Sequence, residues 1–190
     1  MAIGTYGELK TAITSWSHGT APSGLLNDFV ALAEARIRAD VRCRAMIQLA
    51  TGTPSSFAIT EPTRFLEVIS LVIDDAVLSF LTPEQFDRLV STPHRFYTQR
   101  NGAFEVGRSE DYALTYYQAF AAFSGSADTN WLLTNFPDIY LSAALAEVAV
   151  YTRDDPTNWN ARYQAGLAKL KNQERLTNGP LVVRPDINVV

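Results

Sequence analysis

One cysteine, Cys43, and two histidines, His18 and His94, stand among 190 residues. A single thiol cannot close an internal disulfide, which excludes the disulfide-stapled secreted scaffolds. With so few imidazoles, and no Cys-x-x-Cys or His-Glu-x-x-His spacing, neither a zinc ligand set nor a catalytic triad can be assembled from recognisable motifs. Gly125-Ser126 lacks the flanking glycine of a nucleophile elbow, and no glycine run has the spacing that cradles phosphate. Long apolar runs are missing as well. Ala143 to Ala146 is interrupted by charge well before the roughly 20 residues that a bilayer span requires. The opening Met-Ala-Ile-Gly-Thr-Tyr-Gly-Glu has neither the basic nor the apolar part of a signal peptide, so residence in a cytoplasm is the expectation. Basic charge is also scarce: 16 Lys and Arg face 20 Asp and Glu, for a net charge of -4. That balance argues against a dedicated nucleic-acid binder, which would neutralise many phosphates. Residues 61–117 carry nine acidic against five basic side chains and so hold the excess.

What is present is an ordinary globular composition, 47% hydrophobic and 19% charged, long enough to bury a core without staples or metal. Thr5-Tyr6-Gly7-Glu8 has the form of a capping box and predicts a short helix to about His18. Gly19 to Gly24 reads as a loop. Leu26, Val30, Ala33, Ile37 and Val41 recur on one helical face and predict a long amphipathic helix to about Leu49, closed by the turn-rich Thr51 to Ser56.

Shorter β-branched and aromatic units follow. Phe65–Ile73 and Ala76–Leu81 flank Asp74-Asp75 as two strands about a tight turn. Thr82-Pro83-Glu84-Gln85 combines a capping box with proline at the first helical position. Asn101-Gly102, between Arg95–Arg100 and Ala103–Val106, is a strong hairpin signal, because both central residues of such a turn need positive φ. Asp111–Tyr117 alternates and predicts a third strand of that same sheet. Helical texture returns at Asn130-Trp131, restarts at Pro137, and begins again at Asp155-Pro156, ending near Asn178-Gly179-Pro180. The expected fold is α+β, mainly α: a helical bundle with an inserted small antiparallel β unit and an extended C-terminal arm. Its parts are an N-terminal helical part over 1–60, a β unit with one short helix over 61–117, completing helices over 118–178, and the arm over 179–190.

Candidate chemistry is sparse. Asp74-Asp75 and Asp154-Asp155 pair carboxylates, as acid and base catalysis can require, yet adjacent residues point apart, so a turn and a helix cap are the simpler reading. Arg36, Arg38, Arg42 and Arg44 form a basic cluster suited to an acidic partner or to phosphates. The simpler reading there is a solvated face with local ion pairs. Trp131, Trp159, Tyr140 and Tyr151 could line a ligand cage, but aromatics at helical spacing are usually core.

Two stretches carry a likeness. Residues 26–42, with Asp28-Phe29 and Ala33-Glu34-Ala35-Arg36-Ile37, resemble the first long helix of the head-to-tail adaptor proteins of tailed phages. Residues 129–147, from Thr129-Asn130-Trp131 through Pro137-Asp138-Ile139, resemble that family's second helical signature, and Asp154-Asp155 and Trp159 extend the likeness. The strands ending in Tyr116-Tyr117 are similar to its inserted β unit. Two segments depart from the pattern, Gly107-Arg108-Ser109 and Arg42-Cys43-Arg44-Ala45-Met46.

The resemblance implies a structural, non-enzymatic virion protein with no cofactor or metal. Such a protein forms a ring, dodecameric in the portal's symmetry, beneath the portal protein. It meets a tail or nozzle protein and lets double-stranded DNA pass, with no membrane partner, in the virion after assembly in the host cytoplasm. By the same analogy the terminal arm, through Leu181, Val182, Val183, Ile187, Val189 and Val190, adds as an extended strand to a partner edge. A phage-encoded envelope-degrading hydrolase and a cytoplasmic helical interaction module are the alternative readings.

Overall fold

The computed structural model describes residues 3–89 and 94–177. Two compact units share the chain: Met46–Phe120 forms one, and the segments on either side of it form the other.

The helical unit contains α1 (Tyr6–Trp16), α2 (Leu26–Asp40), α4 (Trp131–Asn135), α5 (Pro137–Thr152) and α6 (Thr157–Thr177). Thr5 caps α1 through its hydroxyl, and Glu8 reaches back to complete the box. The next two orphan donors of α1 find partners in the 124–128 loop: Tyr6 N–H donates to the Asp128 carbonyl and Gly7 N–H to the Ser126 carbonyl, both at 2.8 Å. A Cβ at Gly7 would approach that Ser126 oxygen to 3.1 Å, which explains a glycine in the first turn. The loop itself is tied by Asp128, whose carboxylate accepts from the Ser124 and Gly125 N–H groups and the Ser124 hydroxyl. These bonds favour the charged form and hold its pKa below the ordinary carboxylate range.

Helix α5 has no polar face to speak of. Ile139 to Ala146, Val148 and Ala149 are all buried, as expected of a helix enclosed by α1, α2, α4 and α6 rather than laid on a surface. It stops at Arg153, which adopts the left-handed conformation (φ 63°) and returns its N–H to the α5 carbonyls. The Asp155 carboxylate accepts from the Thr157 N–H at the start of α6.

The inserted unit contains β1 (Ile47–Gly52), β2 (Ala58–Thr60), β3 (Phe65–Ile73), β4 (Ala76–Val77), β5 (Ser79–Phe80), α3 (Pro83–Asp87), β6 (Phe96–Arg100), β7 (Ala103–Val106) and β8 (Tyr112–Gln118). The strands form two four-stranded sheets, in the orders β1-β8-β3-β4 and β2-β7-β6-β5. Ile59, Leu71, Ile73, Leu78, Tyr97, Phe104, Val106, Leu114 and Tyr116 fill the core that both sheets share. The hairpin residues behave as their chemistry requires: Asp74 and Asp75 have φ of 48° and 58°, and Asn101 and Gly102 have 52° and 71°.

Three expectations are corrected. A helical bundle with a small antiparallel β unit does not describe this chain: 46% of the described residues are helical and 23% are in strands, arranged as two sheets. One strand pair, β5 with β6, is parallel. Strands of two or three residues, such as β2, β4 and β5, are too short to show a period, so the second sheet is underestimated from sequence. The long helix ends at Asp40 rather than near Leu49, and Ile47–Gly52 is an edge strand paired with β8. Finally, β8 joins β1 and β3, not the sheet of β6 and β7.

Candidate functional site

The four arginines do not form one solvated patch. Arg36 lies 4.1 Å over the ring of Tyr163 on α6 and donates to the Asn160 amide oxygen at 2.8 Å. Tyr163 is fully buried, and its hydroxyl donates to Asp40 at 2.8 Å. Burial, then the Asp40 carboxylate, raises the phenol's pKa, with Arg36 opposing. Arg42 turns back onto the end of α2 and donates to the carbonyls of Arg38 and Val41, satisfying acceptors that a helix terminus leaves open. Arg44 meets Glu174 through both its backbone N–H and its guanidinium. Arg38 is exposed on the last turn of α2.

The residues that carry the sequence likeness thus tie helices together. Ala33 and Ile37 are buried, and Arg36 clamps α6. Glu34, half-buried, accepts from the Phe123 N–H, and burial pushes its pKa up. In the second stretch the Asn130 side chain caps α4 at Leu133 and donates its amide to the Tyr140 hydroxyl. Asp138 pairs with Lys169 across α5 and α6.

Of the aromatics, Tyr140 is core and Tyr151 is 55% exposed while its ring meets Phe29 edge-on. Trp131 stays beside Phe136, and Trp159 belongs to a different cluster. Trp16, at the end of α1, meets Trp159 edge-to-face at 5.9 Å, and the Arg162 guanidinium lies 5.4 Å and 5.2 Å from the two rings. Trp16 is 47% exposed. Sequence reasoning missed Trp16 and Arg162 as surface groups. Trp16 continues the apolar stripe of Leu9 and Ile13, and only its place in the last turn marks it as a residue the core does not close over.

The paired acids occupy local structural posts. Asp74 and Asp75 form a turn, with Asp74 meeting Arg108 at 3.2 Å. Asp154 accepts from the Thr152 hydroxyl. Cys43 is buried. Among the described residues, no group of three or more His, Cys, Asp and Glu side chains could hold a metal ion, and no helix is long and apolar enough to cross a membrane. Leu181, Val182, Val183, Ile187, Val189 and Val190 lie outside the described residues.

In the inserted unit, the first sheet turns one face to the shared core and leaves Leu49 and Val77 on the other, 65% and 67% exposed.

The architecture places the chain in the class of α+β proteins in which a helical unit is interrupted by a two-sheet insertion. Within that class, the model of the SU10 adaptor protein family matches residues 4–184. The chain belongs to this family of phage adaptors, which are structural proteins. No curated protein matches it.

Proposed function

We propose that the chain is the head-to-tail adaptor of a phage virion. Copies form a ring of twelve under the portal protein, join the DNA-filled capsid to a tail or nozzle protein, and leave a channel for double-stranded DNA. Assembly begins in the host cytoplasm. The observation that carries this reading is the family match across residues 4–184. The net charge of -4 suits a conduit, since a channel that gripped phosphates would hold the genome back.

Electron microscopy of the purified chain mixed with portal particles tests the reading. A ring seated on the portal is expected, and particles without any bound chain would overturn it. The arm has its own test: deleting residues 181–190 leaves the fold intact and reduces portal attachment. For the arginines, Arg38→Glu is the cleaner probe, because reversing Arg42 also removes its bonds to the end of α2. Impaired ring formation or docking is expected, and normal assembly would return Arg38 to a solvated role.

A further inference from the structure

Trp16 and Trp159 form a ridge with a hollow on each side. One hollow, about 390 Å³, is apolar along Pro137, Leu141 and Ala165 and has Arg162 at its border. The other, about 310 Å³, is bordered by His18, Asp154 and Asp155. Among the described residues Arg162 has no carboxylate partner, and neither Asp154 nor Asp155 has a cationic one; their bonds go to Thr152 and Thr157. The ridge is therefore an indole pair, Trp16 exposed and Trp159 half-buried, between a cation and two anions that lack an oppositely charged partner among the described residues. Along α6 the order is Asp155, Trp159, Arg162, about 10 Å from first to last at 1.5 Å per helical residue. Trp and Arg in such settings dominate binding energy at protein interfaces.

An occupant that matches has a base, a flat apolar group and an acid in that order. Arg184-Pro185-Asp186 has that order and lies outside the described residues. A proline ring is a compact apolar face for an indole, and the residue before a proline is confined to extended conformations. We propose that the Trp16–Trp159 ridge receives the Arg184-Pro185-Asp186 segment of a second copy of this chain, with Arg184 at Asp154 and Asp155 and Asp186 at Arg162.

The chain's own segment runs the wrong way. A tail leaving Thr177 would have to run back along α6 and would meet Arg162 first, which sets Arg184 against Arg162. A second copy, entering in the direction of α6, brings opposite charges together. This inference rests on the self-association in the proposed function, and it says which side chains link neighbours.

Two measurements on the full-length chain test it. In sedimentation velocity over a concentration series, Arg162→Asp alone and Asp186→Arg alone should each weaken self-association about tenfold, because each sets like charges face to face. The two changes together should restore it. Wild-type association in either single variant, or no restoration in the double, overturns the proposal.

The second measurement uses the full-length Arg184→Ala/Asp186→Ala variant, whose own tail carries neither charge, with near-ultraviolet circular dichroism confirming its fold. A synthetic peptide of residues 178–190 should shift its tryptophan emission saturably, and the same peptide with Asp186→Arg should bind at least about tenfold more weakly. No response overturns the proposal, and this arm decides alone if the wild-type chain stays monomeric. An emission difference between wild type and this variant that persists at high dilution would place the tail on its own ridge and overturn the second-copy assignment. Peptide binding without any ring on the portal leaves the ridge standing and removes the adaptor ring; a ring without peptide binding does the reverse.

Discussion

Gly166 on α6 faces Ile139 on α5 so closely that a Cβ at position 166 would lie 2.9 Å from Ile139 Cγ1. Ile139 is fully buried on the enclosed helix, so relieving the contact means shifting a core side chain. Gly166→Ala gains up to about 1 kcal/mol of helix propensity and loses about 1–3 kcal/mol to overpacking. A net destabilisation is expected in urea unfolding, and larger for Gly166→Val. A more stable Gly166→Ala variant would mean that the two helices yield at this point.

Thr98, in β6, is fully buried and its hydroxyl has no hydrogen-bond partner among the described residues. Thr98→Val keeps the branched shape and removes the unsatisfied group, so stability should rise by about 1 kcal/mol. Thermal unfolding of the two proteins side by side reads the difference, and a loss would reveal a partner for that hydroxyl.

Tyr163→Phe removes the bond to Asp40 while keeping the ring under Arg36. Asp40 is exposed and regains water, so the loss at neutral pH should be about 1 kcal/mol. The pKa of Tyr163 is raised by burial and by Asp40. Its contribution is therefore present below the ordinary tyrosine value, about 10, and is lost as pH rises beyond it. Denaturant midpoints for wild type and variant should converge in alkali, and a gap that widens there contradicts this account.

Asp128→Asn weakens the 124–128 loop and with it the two backbone bonds that finish the start of α1. The Asp128 pKa is lowered, first by the Gly125 N–H and then by Ser124. The wild-type advantage is thus full above the ordinary carboxylate range and shrinks as pH falls through and below it. Amide exchange at Tyr6 and Gly7, followed at neutral and acid pH, should be faster in the variant only at neutral pH.

The sequence was most legible where one side chain decides a local conformation. Thr5 with Glu8 and Thr82 with Gln85 form the expected capping boxes, and Asn101-Gly102 makes the expected hairpin turn. Long-range pairing was not legible in the same way. The apolar spacing of α2 runs on through Val41, yet Val41 already has extended backbone angles, and the chain turns into a strand that only β8 stabilises. The alternation of Tyr112, Leu114 and Tyr116 announces a strand without naming its neighbours. The arginine cluster shared helical spacing, but its members point to partners far away in sequence, such as Asn160 and Glu174, that no local pattern reveals. Trp16 and Trp159 were hidden for the same reason: each looks like core until both ends of the pair are in place.

Ile47, at the beginning of the inserted unit, pairs directly with Tyr117 near its end. Antiparallel partners of this kind have Cα atoms about 5 Å apart. The insertion therefore leaves the chain almost where it entered, and the helical scaffold needs to accommodate only two adjacent backbone ends, whatever lies between them. Such a site acts as a socket: through recombination, a lineage can exchange, lengthen or trim the β cassette without redrawing the helices that hold it.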